Sequence, residues 1–194
     1  MRIAVAQMDA SENQFARATH LLDHAARAGS DFCLFPELMN CPWLPAEEET
    51  ALRGAAESEG GPSLTRLSAL ARDRHVNVIA PLYERDGDRC FGTAYVIARD
   101  GRVVGRYRKN HIPDAAGWRE KFYYGPGDHG FPVFAPEGLR VGIQICWDNM
   151  FPEGTRALAL DGAQLVFAPR ATGRASLDRW LAVLKANAAV NHVF

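Results

Sequence analysis

Short apolar runs alternate with amphipathic stretches along this chain, and the alternation predicts most of its elements. Residues 2–7 read as a short buried strand. Phe15, Ala18, Leu21, Leu22 and Ala25 then recur at helical spacing, with Ser11 and Gln14 as a capping box and Gly29 to close the helix. Residues 31–35 form a second apolar run, so the opening is strand, helix, strand, the order that suits parallel pairing. After an acidic, surface-like stretch at 47–59, Gly60-Gly61-Pro62-Ser63 introduces a helix carrying Leu64, Leu67, Leu70 and Ala71, and a strand follows at 76–80. Two strand-like runs, 92–98 and 102–108, flank Asp100-Gly101, a strong hairpin signal.

Gly125-Pro126-Gly127-Asp128 marks a loop before the next strand, predicted over 139–146. Val141, Ile143 and Ile145 alternate with Gly142, Gln144 and Cys146, which predicts that the cysteine reaches the strand end on the face opposite the apolar set. Pro152 suits the first turn of a helix running to about Leu160. A short buried strand is predicted at 164–168 and a last helix at 177–189. Residues 191–194 read as the entrance to another apolar strand, where a sheet edge would be left open, so the chain is expected to be cut short at its C-terminal side.

Composition narrows the functional classes. The 194 residues are 47% hydrophobic and carry a formal net charge of −1, with no repeat or linker, which points to one layered α/β unit over 1–194 with mixed strand directions. A pI near 6.6 and no polybasic run argue against a nucleic-acid partner. No segment reads as a signal peptide or a membrane span, so the expected home is the cytoplasm, with no membrane partner. Cys33, Cys41, Cys90 and Cys146 are scattered without metal-ligand spacing; reduced thiols and no structural metal are expected.

Three residues of complementary chemistry each follow a predicted strand: Glu37, Lys109 and Cys146, separated by 72 and then 37 positions. Strand ends converge in open α/β sheets, so a carboxylate, an ammonium and a thiol can meet there. The carboxylate can take the thiol proton, the thiolate can attack a carbonyl carbon, and the ammonium can hold the oxyanion with the backbone N–H of Trp147. A turn opening a helix after Cys146 would also lower the thiol pKa. Taken singly, each residue has a plainer reading: Cys146 as a buried small hydrophobe, Glu37 and Lys109 as solvated surface charges.

Together, Phe35-Pro36-Glu37, Tyr107-Arg108-Lys109-Asn110-His111-Ile112-Pro113 and Gly142-Ile143-Gln144-Ile145-Cys146-Trp147-Asp148 resemble the motifs of the nitrilase, or carbon-nitrogen hydrolase, superfamily, in that family's order. The resemblance covers nearly the whole chain. It implies an α-β-β-α sandwich of the nitrilase type, here lacking its last strands, that associates into a homodimer or higher homo-oligomer. It also implies a Glu37-Lys109-Cys146 triad, with Glu120 as a further carboxylate that orients the lysine and positions substrate. No metal or organic cofactor is implied.

Within the superfamily, His111-Ile112-Pro113-Asp114, Glu120-Lys121-Phe122-Tyr123-Tyr124, Pro126-Gly127-Asp128 and Cys146-Trp147-Asp148 are most similar to the N-carbamoylputrescine amidase branch, whose members cleave a ureido group. Asn149-Met150 stands where that branch has Gln-Trp, and Pro169-Arg170-Ala171-Thr172 also departs from it. Trp147 and Asp148 are candidate pocket residues, with core packing as the rival reading of the tryptophan. His111 reads as a structural hydrogen-bonding residue or a polar group at the site. Arg170 can pair with a substrate carboxylate, or be a solvated surface arginine. Asn187 and Asn191 lie on the final helix, whose family counterpart supports the site. The expected function is therefore hydrolysis of a small amide or N-carbamoyl compound through a covalent thioester. An aliphatic amidase, ω-amidase or nitrilase is the alternative within the superfamily, and an inactive truncated fragment or binding paralogue the alternative outside it.

Overall fold

The strand-helix-strand opening folds as β1 (Ile3–Val5), α1 (Gln14–Arg27) and β2 (Phe32–Leu34), with the two strands parallel. The structure is a computed structural model that describes residues 1–8, 14–42 and 48–194, so the expected cap at Ser11 lies outside the described residues. A short β3 (Glu57–Ser58) precedes α2 (Pro62–Arg74), which has Gly61 as its N-cap and a proline in its first turn. β4 (Asn77–Asp86) continues well past the apolar run that announces it. It pairs with β2 through Asn77–Ile79 and with β3 through Glu84 and Arg85, and Pro81 lies between those two stretches. The chain then reverses into β5 (Arg89–Ile97) and, through the Asp100-Gly101 turn, into β6 (Val103–Arg108). The resulting six-stranded sheet has the path β1-β2-β4-β5-β6, parallel at one side and antiparallel at the other, with β3 on the far end of β4.

The two-residue period of the strands sorts their side chains between two cores. Cys33, Val78 and Ala80 face Ala18 and Leu22 of α1 and Leu67 and Ala71 of α2. Phe32, Leu34, Ile79, Ala94, Val96 and Tyr107 face the other way, onto a second sheet of β7 (Val141–Ile143) and β8 (Leu165–Phe167). On β7, Val141 and Ile143 enter that inter-sheet core while Gly142 meets Leu158 of α4 (Pro152–Leu160). A Cβ on Gly142 would come within 2.8 Å of Leu158 side-chain atoms, so the glycine sets how closely helix and sheet approach. With α5 (Leu177–Asn191) packed on α4, the order is helices, sheet, sheet, helices: the α-β-β-α sandwich of the nitrilase type.

Two predicted boundaries move. The strand expected over 139–146 is regular only through Ile143, because the chain tightens into a 3₁₀ turn at Cys146–Met150. The last helix runs to Asn191, and His192 closes it in a left-handed conformation. The strand entrance expected at 191–194 is reduced to Phe194, which donates its N–H to Gln164 O at 3.0 Å and accepts from Val166 N–H at 2.7 Å along the edge of β8. Among the described residues, no helix is long and apolar enough to cross a membrane.

Candidate active site

Three loops that leave strand ends are tied down before any site chemistry begins. After β2, Phe35 N–H bonds Ile79 O at 3.1 Å and Met39 N–H bonds Pro81 O at 2.9 Å, so the chain keeps following β4. Between them Leu38 takes a φ of 55°, and Glu37 is turned inward to 4% exposure. Lys109 follows β6, with its N–H on Gly92 O at 2.9 Å and its carbonyl accepting from Gly127 N–H at 2.8 Å. A Cβ at Gly127 would run into the Arg108 carbonyl oxygen, which explains a glycine in this strap. The one-turn helix α3 (Glu120–Tyr123) supplies Glu120 at its first position.

These loops bring Glu37, Lys109, Glu120 and Cys146 together. Lys109 is fully buried, with Nζ 2.7 Å from Glu37 Oε1 and 2.6 Å from Glu120 Oε2. Tyr124 O–H donates to the same Glu120 oxygen, and its ring centroid lies 5.7 Å from Lys109 Nζ. Glu37 Oε2 and Glu120 Oε1 are shielded from solvent and have no hydrogen-bond partner of good geometry among the described residues. Burial alone would favour a neutral lysine, but the charges of Glu37, Cys146 and Glu120 hold its pKa above the ordinary ammonium range. Burial pushes the Glu37 carboxyl up, against the opposing pull of Lys109 and with the help of Glu120. The site therefore keeps an ammonium and a carboxyl with raised proton affinity side by side.

Cys146 departs from the strand alternation. Its φ is 48°, and the turn swings its side chain into the inter-sheet core beside Ile145 rather than onto the opposite face. Its N–H bonds Pro169 O at 2.8 Å, which extends the β7–β8 ladder by one link. The expected lowering of the thiol pKa is reversed in the resting site. Burial and the Glu37 charge push it well up, and Lys109 is the group that pulls it down. Thiol and Glu37 carboxylate lie close enough that each shifts the other's proton affinity. Cys33 and Cys41, by contrast, are pushed up to about 12 by burial, and no cation among the described residues acts to lower either. That difference separates Cys146 from the packing cysteines.

Asp148, two residues on, is fully buried and joins the cysteine turn to the lysine loop. It accepts from Ile145 N–H at 3.0 Å, Tyr107 O–H at 2.7 Å, Asn110 N–H at 3.2 Å and His111 N–H at 2.8 Å. His111 Nδ1 lies 2.9 Å from the same carboxylate, and its ring stacks on Phe151 at a centroid distance of 3.8 Å. Behind the turn, Asn149 Nδ2 donates to Gln144 O and Cys146 O at 3.1 and 3.0 Å. Asn187 of α5 donates to Asn149 O at 2.9 Å, and Asn191 to Asn187 O at 2.9 Å. Sequence reasoning gave no role to Tyr107, Tyr124 or Asn149. Tyr124 sits four residues after Glu120, so helical spacing was the signal for it; the other two are visible only through long-range partners.

Two openings flank the cluster. One, of about 720 Å³, is lined by Phe35, Pro36, Glu37, Trp118, Arg170 and Arg174 among others. The second, of about 440 Å³, is lined by His111, Lys121, Tyr124, Trp147 and Phe151. Trp147 is 37% exposed, on the pocket side of its turn rather than in a core. Arg170 is half-buried after β8, with its guanidinium 5.2 Å from the Trp180 ring centroid. Among the described residues, no cluster of His, Cys, Asp or Glu could hold a metal ion.

The family model for carbon-nitrogen hydrolases matches residues 2–194. The chain is 33% identical to a citrullinase of Francisella tularensis over 202 residues, covering 98% of this chain and 71% of that protein. It is 36% identical to an N-carbamoylputrescine amidase of Solanum tuberosum over 193 residues, covering 95% of this chain and 64% of that protein. A crystal structure of a carbon-nitrogen hydrolase from Helicobacter pylori G27 superposes with a TM-score of 0.88 at 27% identity, over 100% of this chain and 70% of that one. The chain thus spans 71% of the length of the first of these relatives and 64% of the second.

Proposed function

Since the chain belongs to the carbon-nitrogen hydrolase family, we propose that Cys146, Glu37 and Lys109 form the reactive centre of a thiol-dependent amidohydrolase. Its substrate is a linear amide or ureido compound, of which an N-carbamoyl amine of the N-carbamoylputrescine type is the preferred member. The observation that carries this reading is the buried Lys109 held at 2.7 and 2.6 Å by two carboxylates, one of which lies against the Cys146 thiol. A purely structural ion cluster has no use for a surplus carboxylate and a thiol.

Glu37 takes the thiol proton as the sulfur attacks the carbonyl carbon, so the charges of thiolate and Glu37 are never both uncompensated. Lys109 and the Trp147 N–H stabilise the oxyanion. Protonated Glu37 gives its proton to the departing nitrogen, and ammonia leaves a carbamoyl-thioester on Cys146. Glu37 then deprotonates a water that attacks the same carbon; the C–S bond breaks, the thiol is regenerated, and the released carbamate decomposes to amine and carbon dioxide. Glu120 and Tyr124 keep the lysine in place throughout. Asp148 and His111 act one step back, by fixing the amides of residues 110 and 111 to the cysteine turn. The similarity to both a citrullinase and an N-carbamoylputrescine amidase supports the ureido group over a simple amide or nitrile.

We place this activity in the cytoplasm, in a homodimer or higher homo-oligomer. Exposed Leu160, Leu181 and Val190 on α4 and α5 support self-association. The test is ammonia release from N-carbamoylputrescine, a short ω-amide and an aliphatic nitrile, with the Cys146→Ala variant alongside. Cysteine-dependent release is expected, fastest from the ureido compound. Release that survives Cys146→Ala would sink the assignment, and silence from a folded chain would favour the binding paralogue.

A further inference from the structure

Tyr83 of β4 has a tie to each of the three segments that carry Glu37, Lys109 and Glu120. Its N–H donates to Asn40 Oδ1 at 2.7 Å, and its C=O accepts from Asn40 Nδ2 at 3.4 Å. Asn40 stands three residues after Glu37, in the loop that Met39 N–H already fastens to Pro81 O. Its side-chain amide thus acts as a strand residue would, in the gap that β2 and β3 leave along β4, and satisfies both backbone groups of Tyr83. Across the hairpin Tyr83 stands opposite Gly92, whose carbonyl accepts the Lys109 N–H at 2.9 Å. The Tyr83 O–H donates to Tyr123 O at 2.9 Å, at the end of the helix whose first residue is Glu120.

The last tie matters because α3 cannot hold itself. A helix of four residues makes too few hydrogen bonds to offset the cost of its nucleus, so outside contacts set its position. Glu49 N–H donates to the Tyr123 hydroxyl at 3.0 Å, and Gly125 N–H to Cys90 O at 3.0 Å. The Tyr83 hydroxyl is the group that joins the α3 backbone to the strand gripping the Glu37 loop. Tyr83 is fully buried, and burial holds its proton affinity well above the ordinary phenol range, so it stays a donor wherever the site works. Its ring also lies 6.1 Å from that of Tyr124, which donates to the Glu120 oxygen that Lys109 holds.

We infer that Tyr83 is a positioning residue: its backbone grips the Glu37 loop, its hydroxyl grips α3, and together they fix how far apart the two carboxylates stand across the Lys109 ammonium. The consequence for turnover rests on the hydrolase reading of the same site. Two carboxylates share one ammonium only while both are held; if α3 drifts, Lys109 goes over to Glu37. A buried tyrosine that merely fills the core would leave that balance untouched.

Tyr83→Phe keeps the ring and removes the hydroxyl. The Glu37 carboxyl is followed by carbon NMR against pH in the intact chain and in the variant, a readout that needs no turnover. The Glu120 charge raises the Glu37 proton affinity and Lys109 lowers it, so a Glu120 that drifts away is expected to move the Glu37 midpoint to lower pH. For ammonia release from N-carbamoylputrescine, kcat is expected to fall about 10- to 100-fold with KM nearly unchanged. Tyr83→Phe and Tyr124→Phe both act through Glu120, so their combined loss is expected to be smaller than the product of the single losses. An unmoved or raised Glu37 midpoint, a loss carried by KM, or losses that multiply would overturn the inference. Asn40→Ala, at a half-buried position, tests the other arm even where Tyr83→Phe does not fold. It is expected to move the Glu37 midpoint too, and an unmoved midpoint would equally overturn the inference. Failure of the hydrolase reading shows separately, as ammonia release that does not depend on Cys146, and the Glu37 titration then decides the positioning role alone.

Discussion

Arg108 and Lys109 are neighbours at the end of one strand, and each draws carboxylates into the protein interior, yet the two clusters are built differently. Around Arg108 every oxygen of Glu84 is satisfied. Oε1 accepts from Arg106 Nη1 and Arg108 Nη2, both at 2.8 Å, and Oε2 accepts from Arg108 Nε at 2.9 Å and from Thr93. Asp128 and Asp86 complete the set on the same guanidinium. Around Lys109, Glu37 and Glu120 each keep one oxygen without a hydrogen bond of good geometry among the described residues, the thiol of Cys146 being the group beside Glu37. The consequence is opposite proton affinities in two buried glutamates. Burial raises both, but hydrogen bonds from Arg108 and Thr93 carry Glu84 below the ordinary range, while Glu37 stays above it. Complete satisfaction makes a frame, and a deficit of donors makes a group that can accept and return a proton.

The largest expected effect separates the two cations. Lys109→Met should cut ammonia release by about 10²- to 10³-fold or more, as expected when a principal oxyanion donor is removed. Arg108→Met should act chiefly on folding, by about 3–5 kcal/mol in a denaturant melt, because it strands buried Glu84. Lys109→Met also strands buried carboxylates, so ammonia release per folded molecule decides, and an equal loss of that release in both variants would erase the distinction.

The paired carboxylate variants come next. Glu37→Gln should slow turnover by about 10²- to 10⁴-fold, with Glu120 still paired to the buried Lys109. Glu84→Gln should cost about 1–3 kcal/mol, because its amide turns a donor toward a guanidinium. Thermal melts alongside single-turnover assays decide between these.

The pH dependences should run in opposite directions. Glu84 is depressed in the folded state, so its stabilisation is present above the ordinary carboxylate range, about pH 4, and is lost as pH falls through the folded value. Glu37 is raised, so its ionised form costs stability near neutrality, and that cost is relieved as pH falls through its raised value. A plot of Tm against pH should therefore lose acid sensitivity in Glu84→Gln, and kcat/KM should fall on the acid side at a pH above the ordinary glutamate range. An acid limb at or below that range would contradict the raised Glu37. The smallest effect is expected of Tyr124→Phe, which removes one hydrogen bond to Glu120 and keeps the ring beside Lys109. About 10-fold or less in kcat is expected, the value of a single hydrogen bond, with KM nearly unchanged.

Much of the frame was legible in the sequence because its signals are local. The helical spacing of Ala18, Leu22 and Ala25, the Gly61-Pro62 helix start and the Asp100-Gly101 turn all appear where the pattern puts them. The extension of β4 to Asp86 was not legible, since Glu84 and Arg85 are polar residues whose strand partners are distant. Nor was the face of Cys146: alternation assumes extended backbone, and a φ of 48° breaks it. The thiol's raised proton affinity was missed for the same kind of reason, because the helix-end argument was local while burial and the Glu37 charge are not.

By itself the sequence determined which residue types stand at strand ends, and hence that Glu37, Lys109 and Cys146 could meet. It could not say that Arg108 belongs to a closed charge network and Lys109 to an open one, for both are cations beside one another in the same run. Tertiary structure decided that, by placing Glu84, Thr93 and Asp128 around one and Glu37, Glu120 and Tyr124 around the other. Proton affinity depends on burial and on partners far away in sequence, and those exist only once the two sheets have packed.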